Sequence, residues 1–101
     1  KVREDWEERK RGMNLIRAQK LFDEDKFGDA AELGHPEAQG IMAYLCQTQD
    51  QVKSVYWAKK AAAGGDRRGQ YTLGFAYQEA LGGLPKNYAL ALEWFTKPAE
   101  Q

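Results

Sequence analysis

A phrase that occurs twice limits what this chain can fold into. Trp57, Lys60 and Ala62 are matched by Trp94, Lys97 and Ala99, each 37 residues further on. A second set recurs at 31 residues: Gly34 with Gly65, Gln39 with Gln70, Met42 with Leu73, and Ala43 with Gly74. Self-similarity at such a spacing marks a stacked helical repeat, in which each unit buries its apolar face only against its neighbours. The expected fold class is all-α, a solenoid of antiparallel helix pairs.

Composition agrees. Fourteen Ala and nine Leu stand against five Val plus Ile, a balance that favours helix over sheet. Apolar content of 43% with 12% aromatics supplies a core and argues against intrinsic disorder. Lys and Arg total 15 against 15 Asp and Glu, so the basic excess of a nucleic-acid module is absent. The longest apolar run, Ile41 to Cys46, falls far short of the ~20 residues that span a bilayer. No nucleic-acid or membrane partner is expected. The single Cys46 excludes an internal disulfide framework and suits either redox compartment, with the cytoplasm slightly favoured. The chain starts at Lys1 and stops at Gln101, where the repeat calls for a Gly; both ends are expected to be cuts in a longer array.

Along the chain, residues 1–12 read as a charged lead-in helix supported by Arg3/Glu7, Asp5/Arg9 and Glu7/Arg11 at i,i+4 spacing. Trp6 is expected to pack back on the first unit. Met13 to Phe22 reads as a helix with Met13, Ile16, Leu21 and Phe22 toward one side. A second helix opens near Asp25–Ala30 and is stopped by Gly34-His35-Pro36. Pro36 suits the first turn of the next helix, which extends to about Gln47 with Ala38, Ile41, Met42, Leu45 and Cys46 on its apolar stripe. Asp50 caps a helix over 51–63, Gly64-Gly65 ends it, and Asp66 caps the next. That next helix, 70–81, carries Leu73, Ala76, Tyr77 and Ala80. A Gly- and Pro-rich turn over 82–87 leads to the last helix, 88–99, which Pro98 should bend or fray.

These residues resemble the Sel-1-like repeat, a relative of the tetratricopeptide repeat. The third unit, 65–101, carries Gly65, Gln70, Leu73-Gly74, Tyr77, Gly82-Gly83-Leu84-Pro85, Ala91, Trp94, Lys97 and Ala99 in the register of that repeat. The second, 34–64, carries Gly34, Ala38-Gln39, Met42-Ala43, Trp57, Lys60 and Ala61-Ala62, with Cys46 where the repeat has Tyr. The first, 13–33, departs most: Ala18 and Ala43 are 25 residues apart where a helix pair needs about 31 to 37. Six to twelve residues are therefore expected to be missing from it, either in the protein or in the sequence as written. Packing logic assigns Gly74 and Ala43 to close helix approach, and Trp57 and Trp94 to the wedge between helix pairs.

The resemblance implies a right-handed superhelix whose first helix in each pair lines a concave face. Tyr44 and Gln47 in the second unit, with Arg68, Tyr71, Phe75, Gln78 and Glu79 in the third, lie off the core stripe on those helices, as does Gly40. They form the candidate partner-binding face, the aromatics serving as anchors; the competing reading is that they pack between neighbouring helices. Catalytic, metal and cofactor sites are not expected. His35 and Cys46 are single, and a nucleophilic pair needs them adjacent. Gly64–Gly69 superficially resembles an anion cradle but lacks the lysine of a phosphate loop and reads as a connector. Lys59-Lys60 with Arg67-Arg68 forms a local basic spot, either plain solvated surface or a docking patch. The favoured function is a non-enzymatic interaction module for a protein or peptide. The alternative is a regulatory or scaffolding appendage of a larger enzyme or signalling protein. A secreted hydrolase, suggested for some relatives, would require a nucleophile with a base.

Overall fold

Six helices follow one another in the computed structural model: α1 (Val2–Asp23), α2 (Phe27–Glu32), α3 (Pro36–Cys46), α4 (Gln51–Ala63), α5 (Arg67–Glu79) and α6 (Tyr88–Glu100). The structure describes residues 2–100, with side chains from 5 to 97.

The 31-residue echo is an identical turn. Gly34 and Gly65 take left-handed φ values of 97° and 83°, which only glycine adopts at no steric cost. After each, the next N–H reaches back over the turn: His35 N–H to the Ala30 carbonyl at 3.1 Å, and Asp66 N–H to the Ala61 carbonyl at 2.9 Å. Each of these residues then caps the following helix. Asp66 Oδ2 accepts from the Gly69 N–H at 3.0 Å, and His35 Nδ1 accepts from the Ala38 N–H at 3.1 Å. The capping role of His35 is not legible in the sequence, because histidine is no ordinary cap residue. Asp50 caps α4 through the Lys53 N–H, and Asn87 caps α6 through the Leu90 N–H.

Boundaries shift where local hydrogen bonds decide. α5 starts at Arg67, earlier than expected, because the Asp66 cap already satisfies its first turn. It ends at Glu79 instead of Leu81, because Ala80 turns left-handed with φ 55° and the Leu81 N–H closes onto the Ala76 carbonyl. The helix α6 runs on through position 98 to Glu100. The lead-in segment and the helix after it join without a break into the 22-residue α1.

Each helix packs on the next, and α3 also packs directly on α5, with no comparable contact between α4 and α6 among the described residues. First helices that touch and second helices that splay curve the stack toward α3 and α5. The radius of gyration, 14.8 Å, exceeds the ~13 Å of a compact chain of this size, as stacking in one direction requires. The core consists of Ala30, Ala31, Ala38, Ala43, Ala58, Ala62 and Leu73 around Trp57, which is 5% exposed. Small residues allow close helix approach; one large indole fills the space left between them. Gly74 acts as expected: a Cβ there would lie 2.9 Å from the Phe95 ring on α6. Buried polar groups tie the helices together within and between units. Ser54 Oγ donates to the Ala43 carbonyl at 2.7 Å, and Gln39 Nε2 to the Ala31 carbonyl at 3.1 Å.

Several expected core positions are solvent-facing. Trp6 does not fold back on the first unit, and Met13 and Ile16 are exposed with it, because the short α2 covers only the last turns of α1, where Ala18 is buried and Leu21 and Phe22 join the core. Leu45 and Ala80 are exposed as well; both sit at the C-terminal ends of their helices. Trp94 is half-buried, packed on the core by one face, with Lys97 Nζ 4.4 Å over its ring centroid.

Candidate functional site: the α3–α5 face

Tyr44 stands on the outer side of α3, one residue beyond the buried Ala43, and Gln47 is the C-cap of the same helix. On α5 the buried set Gly69, Gln70, Leu73, Gly74 and Ala76 faces the neighbouring helices, leaving Arg68, Tyr71 and Phe75 to point outward with i,i+3 and i,i+4 spacing. The contact of α3 with α5 then brings Tyr44, Gln47, Arg68, Tyr71 and Phe75 around one open groove of about 320 Å³, completed by Thr72 and by Phe95 of α6. Tyr71 and Phe95 stand with ring centroids 6.1 Å apart. Thr72 and Phe95 escape sequence reasoning. Thr72 carries no aromatic or charged signal, and Phe95 belongs to a second helix, so only tertiary packing carries it to the groove.

Two of the seven designated side chains stay outside the lining. Gln78 and Glu79 lie at the far end of α5 and hydrogen-bond each other, Gln78 Nε2 to Glu79 Oε1 at 3.3 Å. Gly40 is a packing residue: it is buried, and a Cβ there would run into the Asp66 carboxylate and stand 3.1 Å from Arg68 Cβ.

At one end the groove continues into a second open cleft lined by Glu37, Asp66, Arg67, Arg68 and Tyr71. Charge here is largely balanced: Arg68 faces Glu37 across α3 and α5 at 4.0 Å. Burial pushes the Asp66 carboxyl above its ordinary range, opposed by the Gly69 N–H and the Arg68 guanidinium, while Glu37 adds to the rise. In the glycine turn the Gly69 N–H is taken by the Asp66 carboxylate. Of the basic spot, Arg68 faces Glu37 and Lys60 lies 5.1 Å over the Tyr56 ring centroid.

His35 and Cys46 sit at opposite ends of the 11-residue α3, about 16 Å apart along the helix. Both imidazole nitrogens are engaged, Nδ1 by the Ala38 N–H and Nε2 with Gln19 Oε1 at 3.1 Å. Among the described residues no helix is long and apolar enough to cross a membrane.

Stacked helix pairs with a curved inner face of paired first helices define this molecule as a helical-repeat protein. The Sel1 repeat family matches residues 36–66 and 67–101, and the chain belongs to it. The chain is also similar to the crystal structure of a Sel1 repeat protein from Oxalobacter formigenes, with a TM-score of 0.69 and 36% identity over 74% of this chain. It spans 60% of the length of that protein. No curated protein matches. Repeat modules of this family are generic protein-interaction modules, and no enzyme family is found.

Proposed function

We propose that the chain is a non-enzymatic adaptor that takes a peptide or protein segment in the groove between α3 and α5. The observation that carries this reading is the convergence of five outward side chains from two repeats, Tyr44, Gln47, Arg68, Tyr71 and Phe75, on one mainly apolar groove. Three aromatics, Tyr44, Tyr71 and Phe75, remain exposed there, although burying them against a neighbouring helix would be favourable. Aromatic and arginine side chains are the types that concentrate binding energy at interfaces, and Gln47 and Thr72 add hydrogen-bonding groups that fix a ligand backbone. Affinity purification with the wild type and with a Tyr71→Ala, Phe75→Ala double variant tests it. A partner captured by the wild type should be lost from the double variant while helicity by circular dichroism is unchanged. Equal recovery by both proteins would remove the groove from consideration.

A further inference from the structure

The helix α1 carries a second surface unrelated to the groove. Its anchored part is the C-terminal third: Ala18 is buried, Phe22 stacks on His35, and Gln19 bonds to His35 Nε2. On the side turned away from Ala18, the residues Trp6, Arg9, Met13, Ile16 and Lys20 follow one another at intervals of 3, 4, 3 and 4. That spacing keeps side chains on one narrow line along a helix and is the seam of two helices packed lengthwise. Its three apolar members are the most exposed large ones on α1 among the residues with described side chains: Trp6 60%, Met13 68% and Ile16 75%. Trp6 and Met13, with Arg9, Lys10 and Asn14, border an open hollow of about 350 Å³ whose lining is almost wholly apolar.

The charges along this seam select the occupant. Arg9 and Lys20 lie in the seam, and Lys10 and Arg17, seven residues apart, flank it on one side; the other flank holds Asp5, Gly12 and Gln19. A second copy running antiparallel would place the Lys10–Arg17 flank against itself. A parallel copy would pair Asp5 with Lys10 at the flank but set Arg9 beside Arg9 within the seam. Like charges so placed oppose association. A membrane surface needs a broad apolar face with cations at its margins, whereas here cations interrupt a stripe only three apolar side chains long.

We infer that α1 docks an amphipathic helix of another protein, one with apolar residues at seam spacing and a row of Asp or Glu beside them. Pairing would bury Trp6, Met13 and Ile16 and set carboxylates against Lys10 and Arg17, outside the groove of the adaptor.

Two labelled synthetic helices of about three heptads test this, both with Leu at the seam, one flanked by Glu and the other by Lys. Anisotropy titration with the 101-residue chain should show saturable binding of the Glu helix, at least about tenfold tighter than the Lys helix and weakened by added salt. A Trp6→Ala, Ile16→Ala variant should lose about tenfold in affinity. The triple charge swap Arg9→Glu, Lys10→Glu, Arg17→Glu should reverse the preference. Tyr71→Ala with Phe75→Ala should change nothing, which separates this surface from the groove. Circular dichroism checks that each variant is folded. Absence of saturable binding, equal affinity for the two helices, or an unchanged preference in the charge swap overturns the inference. So does a dimer in ultracentrifugation that Ile16→Glu dissolves, or Trp6-dependent binding to phosphatidylserine vesicles tighter than to the Glu helix.

Discussion

The ring of Phe22 lies flat against the imidazole of His35, with centroids 4.4 Å apart and planes 10° from parallel. This contact couples the end of α1 to the start of α3. His35 simultaneously caps α3 through Nδ1 and meets Gln19 of α1 through Nε2, so one side chain ties the two helices at three points. Because Nδ1 accepts from a backbone N–H, the ring proton resides on Nε2.

Replacing His35 by Ala removes the cap, worth about 0.5–2 kcal/mol, and the stack, worth about 0.5–1.5 kcal/mol. Urea denaturation should show a loss of roughly 1–3 kcal/mol for His35→Ala. His35→Asn should recover part of it, since Asn can cap but cannot stack. Equal losses in the two variants would assign the whole effect to the ring.

The two tryptophans of the duplicated phrase should differ in weight. Trp57 is buried among alanines that cannot move to fill its place, so Trp57→Ala should cost about 3–5 kcal/mol. Trp94 is only half-buried, with Lys97 over its ring, and Trp94→Ala should cost less, roughly 1–3 kcal/mol. Thermal melts of the two variants check the order; a costlier Trp94→Ala would place the main wedge on α6.

Two glycines of α5 should respond differently to an added methyl group. At Gly69 a Cβ would press on Ala61 and stand 2.7 Å from the backbone nitrogen of Ala62, so α4 itself has to move. Gly69→Ala should destabilise by about 1–3 kcal/mol. At Gly74 the nearest atoms belong to the Phe95 ring, with the Ala91 carbonyl oxygen next at 3.2 Å; a swing of the ring and a small shift of α6 relieve both contacts, and alanine regains up to about 1 kcal/mol of helix propensity. Gly74→Ala should therefore be near neutral in stability while displacing a groove-lining ring. Similar losses at both sites would show that Phe95 and the α6 backbone at Ala91 are held rigidly.

Asp66 should leave a signature in the pH dependence of stability. Burial raises its folded pKa above the ordinary 3.8, so the native state binds this proton more tightly than the unfolded chain. The stability it contributes is present below that value and is lost as pH rises through the higher folded pKa. Asp66→Asn retains a competent cap without the ionisation. The stability of the wild type relative to Asp66→Asn should accordingly fall as pH climbs from near 3.8 upward, as read from denaturation midpoints at several pH values. A difference that rises with pH would mean that the Gly69 N–H and Arg68 outweigh burial.

The sequence alone determined what is local. Gly34 and Gly65 mark the turns because only glycine enters that conformation freely, Asp50 and Asp66 mark helix starts because their carboxylates reach the open N–H groups, and the spacing of alanines and Trp57 states which faces meet. The outward row Tyr44, Arg68, Tyr71 and Phe75 was legible by the same logic, being what the core stripe leaves over. Tertiary structure decided what depends on distance between helices. Phe95 lines the groove only because α6 crosses Gly74; Gly40 leaves it because Asp66 of the next turn lies against it. Trp6, Met13 and Ile16 look like core in one dimension. They are exposed because burial needs an opposing surface, and the six-residue α2 reaches no further than the last turns of α1.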